Sequence, residues 1–318
     1  MLNENRKYRV AITGASGYVG SALVYHLERS GLDVFGVYRK NKSYTKHKKI
    51  ILPDFLKIDD LKDELHNIDF VVYLAGRAHK QNETSSQYLE LQRLNNTYPA
   101  IKFATAALKS NVQKFIYISS VAVYGEKNNG MVFDELSTVY PITAYAKSKL
   151  DAEIKLKKVF LGSKTELIII RPPMVYGIGA PGNFNSLTKI FNFKIPLPLG
   201  GIQNSRSFLN IENFNHIIEK IIRCEGDLTG TYLISDNYDL STTDFLQLVG
   251  QITNQKVRLF KLFPNFQKKI LQKSGKRVLS YSLYGDFKID PSLLISKLNL
   301  ELPFSPYEVL KIQNKDTV

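Results

Sequence analysis

Residues 13–20 read TGASGYVG, placed between YRVAIT (8–13) and a run from Gly17 to Arg29 that carries Val19, Leu23 and Leu27 at helical spacing. A glycine-rich turn joining a buried strand to a helix concentrates free N–H groups and the positive end of the helix dipole at one point. Gly14 suits the tight turn, Gly17 lets backbone approach a pyrophosphate, and Gly20 lets helix and strand pack closely. Tyr18 and Val19 open the helix beside them. The spacing predicts a dinucleotide-binding strand–turn–helix.

Downstream, the same alternation repeats. DVFGVY (33–38), DFVVYLA (69–75), KFIYISS (114–120) and ELIIIRPP (166–173) read as further strands separated by helical patterns. Tyr145 to Phe160 reads as a helix with Leu150, Ile154 and Leu156 on its apolar side. Continuous apolar strands alternating with helices predict an α/β, doubly wound parallel sheet covered on both faces. After Pro172 the texture becomes rich in Gly, Pro and Asn, as in GIGAPGNFN (177–185) and KIPLPLGGIQNS (194–205). The expected organisation is a dinucleotide-binding domain over 1–172, with later segments returning to it, and a smaller, mainly substrate-binding lobe over 173–318.

Composition narrows the function classes. The 318 residues carry a net charge of +14 and a single cysteine, Cys224. One cysteine leaves no internal disulfide and no thiolate metal cluster, and no metal site is expected. Apolar stretches are strand-sized and the N-terminus has no apolar leader core, so a cytoplasmic protein is expected. No nucleic-acid motif is present, and the positive charge fits a phosphate-bearing cofactor and substrate better than nucleic acid. Residues 245–285 hold eight bases and no acid. An amphipathic helix there is expected to turn Phe266, Ile270 and Leu271 inward, with no stable membrane binding.

The end of the second strand bears on the cofactor. An acid about 20 residues past the glycines would hold a ribose hydroxyl, but here the chain reads Tyr38-Arg39-Lys40, with Lys42 close behind. Arg39 can grip a 2′-phosphate that a carboxylate would repel. NADP(H) is favoured over NAD. Lys46, Lys48 and Lys49 read as a solvated loop.

Tyr-x-x-x-Lys occurs six times in this chain, so position must choose among them. Only the pair at Tyr145 and Lys149 follows a strand ending in Ser119-Ser120, 25 residues on, at the start of a long helix. There the two side chains share a face. A phenol with pKa near ~10 is a poor base, and the Lys149 ammonium would lower it. Tyr145 then exchanges a proton with a hydroxyl or keto oxygen, oriented by Ser120.

Together TGASGYVG, YLAG (73–76), Asn95 before a helix, YISSVAVYG (117–125), YAKSK (145–149), RPPMVYG (171–177) and NSRSFLNIENF (204–214) resemble the extended short-chain dehydrogenase/reductases that act on nucleotide-sugars. The resemblance implies a Rossmann fold, catalytic Ser120, Tyr145 and Lys149, Lys149 also on the nicotinamide ribose, and Asp54 near adenine. It implies that Arg206 holds a nucleotide-sugar diphosphate, that Asn183 lines the nucleotide, and that the substrate is a UDP-sugar. Relatives often pair, so a homodimer is possible in this reading.

Within that family, Val121-Ala122 stand where dehydratases carry Asp-Glu, and Met174 stands where epimerases often carry Asn. The succession from RPPMVYG onward is similar to a bacterial polysaccharide-locus branch. That branch holds 4-reductases of UDP-4-keto-6-deoxy-N-acetylhexosamines and UDP-glucose 4-epimerase-like proteins. Arg39 tilts the expectation to an NADP(H)-dependent 4-keto reductase, with an NAD-dependent UDP-hexose 4-epimerase as the alternative. A non-catalytic, cofactor-sensing protein is a remote third reading, opposed by the intact Ser120, Tyr145 and Lys149.

Overall fold

The computed structural model describes residues 8–40, 47–54, 64–77, 86–125, 130–275, 277–306 and 308. The chain divides into two compact units. The first takes residues 1–125, 139–172 and 217–232, and the second takes 126–138, 173–216 and 233–318.

Seven strands build the sheet of the first unit: β1 (Arg9–Thr13), β2 (Asp33–Tyr38), β3 (Lys48–Ile51), β4 (Phe70–Tyr73), β5 (Lys114–Ile118), β6 (Glu166–Arg171) and β7 (Gly230–Leu233). Their order across the sheet is 7-6-5-4-1-2-3, and every register from β3 through to β6 is parallel. The order reverses between β1 and β4, and open α/β sheets bind ligands beyond the strands' C-terminal ends at such a point. Val10, Ala11 and Ile12 of β1 and all of β4 and β5 are buried, as a sheet covered on both faces requires.

Helices α1 (Tyr18–Arg29), α2 (Ser86–Gln92), α3 (Tyr98–Lys109) and α4 (Ala144–Val159) belong to this unit. So does the second half of α6 (Ile211–Arg223). On α1, Leu23, Val24 and Leu27 turn inward, and Phe103, Ala104 and Ala107 of α3 pack under β4 and β5. Between α2 and α3 the helix loosens into a π-helical turn, Arg93–Thr97.

The second unit holds α5 (Asn183–Asn192), α7 (Thr242–Ile252), α8 (Pro264–Lys273), α9 (Arg277–Tyr284), α10 (Ser292–Leu298) and short two-stranded ladders. Its centre stacks Phe208 on Phe245 at 4.0 Å, with Tyr176 edge-on to both. Beside them the buried Asp236 carboxylate accepts from Asn210 N, Asn213 Nδ2 and Tyr176 Oη. Burial raises its pKa to about 6. Among the described residues no helix is long and apolar enough to cross a membrane.

Three local expectations need correction. Lys48 and Lys49 lie on β3, the sheet's edge strand, rather than in a loop; an exposed lysine on an edge discourages further pairing. Lys42 and Lys46 lie outside the described residues. On α4 the buried face carries Ala152, Leu156, Ser148, Lys149 and Glu153, while Ile154 is 48% exposed. On α8, Phe266 and Ile270 face solvent at 61% and 49% exposure, so the apolar stripe does not pack inward.

Candidate active site

The glycine turn is constrained from two sides. Gly14 takes φ +70°, and a Cβ on it would lie 3.0 Å from Ala75 N. A Cβ on Gly20 would strike Gly14 O at 2.2 Å. Thr13 Oγ1 accepts from Leu74 N and Ala75 N at 3.0 Å each, fastening the ends of β1 and β4 side by side. Gly17 caps α1 without a side-chain hydrogen bond, and the first turn holds no acid. A cradle closed to any side chain, facing an uncapped helix N-terminus, fits the pyrophosphate of a dinucleotide. The residues present therefore suit such a cofactor, with Tyr18 and Val19 opening the helix as expected.

At the end of β2, Tyr38 is buried and its ring stacks on His47 at 5.5 Å, with the Tyr38 hydroxyl hydrogen-bonded to His47 Nε2. Arg39 and Lys40, next in the chain, are exposed. Asp54 follows β3, half-buried.

Ser120 follows β5 in extended conformation and caps a short 3₁₀ turn, Val121–Tyr124, its Oγ accepting from Ala122 N at 3.2 Å. That leaves its hydroxyl proton for Tyr145, to which it is hydrogen-bonded. Thr143 caps α4 through Ala146 N, setting Tyr145 and Lys149 on the helix's first turns. Lys149 is 4% exposed; its Nζ donates to Ile118 O at 2.8 Å and lies 4.9 Å from the centre of the Tyr117 ring. The structure thus brings Ser120, Tyr145 and Lys149 together at the end of β5.

The electrostatics differ from expectation. Burial pushes the Tyr145 phenol above its ordinary value, and only the Ser120 hydrogen bond pulls it down. The Lys149 ammonium is engaged by Ile118 O. Burial instead lowers Lys149 itself to about 8, with Glu153 opposing the change.

Beneath the three residues lies a buried ion pair. Arg171, at the end of β6, engages Glu153 of α4 through Nη2–Oε2 at 2.6 Å and Nε–Oε1 at 3.1 Å. Ser119 donates to the same carboxylate, and Arg171 donates to Tyr124 Oη at 2.7 Å. The ends of β5 and β6 and the middle of α4 are thereby fastened together.

Sequence reasoning selected Asn95, but its amide donates to Leu91 O on its own helix. The buried neighbour, Asn96, does the joining. Its Oδ1 accepts from Arg77 N at 2.6 Å, and its Nδ2 reaches Ser148 Oγ at 3.0 Å and Gln92 Oε1 at 2.7 Å. Thr97 Oγ1 adds a bond to Ser148 O. A Cβ on Gly76 would lie 3.0 Å from Asn96 Oδ1 and 3.6 Å from Lys149 Nζ, so the chain after β4 runs close against both. The π-helical turn aims Asn96 inward, and nothing in the Asn-Asn doublet signals which of the two it favours.

Arg206 and Asn183 belong to the second unit. Arg206 lies on the short strand Arg206–Ser207, and its Nη1 donates to Gly285 O at 2.8 Å and Tyr281 O at 3.2 Å. Its guanidinium is 5.7 Å from the Phe287 ring. Burial lowers its pKa to about 10, with Asp286 opposing, so it stays cationic at neutral pH. It is anchored by carbonyls at the end of α9 rather than paired on the surface. Asn183 opens α5 behind Gly182, whose φ is +68°.

Comparison with known proteins places this geometry. Residues 10–227 match the model of the NAD dependent epimerase/dehydratase family. The chain is 34% identical over 241 residues to a UDP-glucose 4-epimerase of Vibrio cholerae, spanning 75% of this chain and 74% of that protein. It is 30% identical over 266 residues to the N-acetyl-α-D-glucosaminyl-diphospho-ditrans,octacis-undecaprenol 4-epimerase of Escherichia coli O157:H7, spanning 80% and 74%. In fold it is similar to the UDP-glucuronic acid 4-epimerase of Bacillus cereus, solved with UDP-glucuronic acid and NAD, with TM-score 0.77, 21% identity and coverage of 96% and 98%. The chain belongs to the NAD dependent epimerase/dehydratase family, whose members are NAD(P)-dependent enzymes acting on nucleotide-sugars.

Proposed function

We propose that this chain carries out reversible oxidation and reduction at carbon 4 of a UDP-linked hexose, with Tyr145 as the proton carrier. The observation that carries the reading is the Ser120–Tyr145 hydrogen bond beside buried Lys149, at the C-terminal end of β5. When bound, a nicotinamide ring takes a hydride from a carbinol carbon or gives one to a ketone carbon. Tyr145 Oη takes the hydroxyl proton as the carbon gives up its hydride, and returns it in the reverse direction. Ser120 hydrogen-bonds the same oxygen, and its cap on Ala122 N holds it in place. Lys149, released from Ile118 O, bonds the nicotinamide ribose and brings its charge to the phenol. Gly14, Gly17, Tyr18 and Val19 cradle the pyrophosphate, and Asp54 meets the adenine side. Arg206 binds the UDP diphosphate through the edge not spent on α9, and Asn183 lines the nucleotide.

The 4-epimerase reading leads, because the two relatives described above, 34% and 30% identical to this chain, are named as 4-epimerases. In it the hydride and the proton return to the same carbon and oxygen, on the opposite face of the sugar, with no net change in cofactor. Arg39 supports a second reading, an NADP(H)-dependent 4-keto reductase. It is exposed at the end of β2, where a carboxylate would favour NAD, and its guanidinium suits a 2′-phosphate.

One experiment separates them. Purified protein is incubated with UDP-glucose or UDP-N-acetylglucosamine, and separately with NADPH and UDP-4-keto-6-deoxy-N-acetylglucosamine. An epimerase gives the 4-epimer without added reductant. A reductase consumes NADPH mole for mole with the keto-sugar and leaves the first pair unchanged. Failure of both would defeat the assignment to carbon 4.

A further inference from the structure

The second unit carries an outward surface that the chemistry above does not use. Phe260 is the middle residue of the strand Leu259–Lys261, Leu262 and Phe263 lead into α8, and Phe266 and Ile270 continue along the helix one turn apart. Their exposures run from 41% at Leu262 to 78% at Phe263. Lys269 and Lys273 form the neighbouring exposed stripe, with Arg258 and Lys261 exposed at the strand. The side of α8 that meets α9 is the more polar one. Gln267 pairs with Tyr284, and Lys268 O accepts from Ser280 Oγ at 3.3 Å. The helix is thus inverted relative to a core helix, with its largest apolar side chains outermost and cations beside them.

Charge selects the occupant. Residues 245–285 contribute eight positive charges and no negative one to a chain whose net charge is +14. A second copy presenting the same face would meet like charge with like. Nucleic acid would use the lysines but leave Leu262 and Ile270 with nothing to bury against. An anionic bilayer surface satisfies both features, because phenyl and aliphatic groups enter the headgroup–acyl boundary while ammonium groups remain among lipid phosphates. We propose that the Phe260–Lys273 surface docks the protein, reversibly and by a salt-sensitive contact, on an anionic lipid surface.

The chain contains no tryptophan, so Phe266→Trp places one fluorophore on the patch. With vesicles of mixed phosphatidylglycerol and phosphatidylcholine at about 50 mM salt, its emission should shift to the blue. Raising salt to about 0.5 M shortens the Debye length several-fold and should weaken binding roughly tenfold or more. Adding Lys269→Glu and Lys273→Glu should weaken it by a similar factor. Co-sedimentation of the unsubstituted protein provides the second measurement, and neither readout depends on catalysis. No binding in both assays, equal binding to pure phosphatidylcholine, or indifference to the charge reversals would overturn the proposal. So would a blue shift without vesicles that grows with protein concentration, because a second copy would then cover the patch.

Discussion

Glu153 and Arg171 meet as a two-pronged buried ion pair directly beneath the residues that hold the candidate chemistry, at 2.6 and 3.1 Å. Glu153 is 1% and Arg171 5% exposed, so each is the other's partner away from water. Glu153→Ala should destabilise the protein by about 3–5 kcal/mol, because Arg171 then keeps an uncompensated charge away from water. Glu153→Leu combined with Arg171→Met should recover most of that loss. Urea unfolding of the single and double variants measures both, and a double variant as weak as the single would contradict the pairing.

Tyr145→Phe removes only the hydroxyl that carries the proton. Turnover should fall about 10²–10⁴-fold, while stability changes by no more than about 1 kcal/mol, the value of the lost Ser120 bond. Steady-state rates and a thermal melt of the same preparation check the two halves.

Lys149→Met should separate stability from function. With its pKa lowered from 10.5 to about 8, Lys149 is charged in the unfolded chain but resists charge in the fold. The unfolded state therefore binds more protons between those values, and the wild type gains stability as pH rises through that window. Relative to Lys149→Met, the gain should be on the order of 3 kcal/mol between pH 7.5 and 10.5. Paired denaturant midpoints at the two pH values test it, and a constant difference would mean that Lys149 titrates normally.

Asp236 runs the other way. Its carboxyl is raised from 3.8 to about 6, so the fold prefers it protonated, and stability is lost as pH climbs through that window. Asn at this position keeps the hydrogen bonds, with Oδ1 accepting from Asn210 and Asn213 and Nδ2 donating to Tyr176. Asp236→Asn should exceed the wild type at pH 7.5 and lose most of that advantage by pH 4.5. Melting temperatures across that range give the answer; an advantage that does not change with pH would refute it.

Much of the first unit was legible because local and global preferences agree there. TGASGYVG sits between a buried strand and a helix in both readings, and β2, β5 and β6 fall within two residues of expectation. Legibility failed where burial and polarity part company. The apolar pattern of α4 puts Ile154 inside, but the helix buries Glu153 and Lys149 instead, because Arg171 and Ile118 O satisfy them. The inward aim of Asn96 is not legible in the sequence because a π-helical turn rotates the register locally, and periodicity rules assume a uniform helix. The lysines of β3 resemble a loop because an edge strand exposes one side. Hydrophobicity alone places Phe266 in a core, although only its neighbours decide whether a core exists there.

The chain passes between its two units five times, after residues 125, 138, 172, 216 and 232, and the sheet's outer strand, β7, is supplied only by residues 230–233. During synthesis at about 5–20 residues per second, β6 waits several seconds on the ribosome as a temporary edge while the next sixty-odd residues are made. A nascent chain halted before residue 230 would present β6 as an open template for another strand. Truncations in this interval should therefore aggregate rather than yield a smaller working unit, and neither unit can be obtained by cutting the gene once.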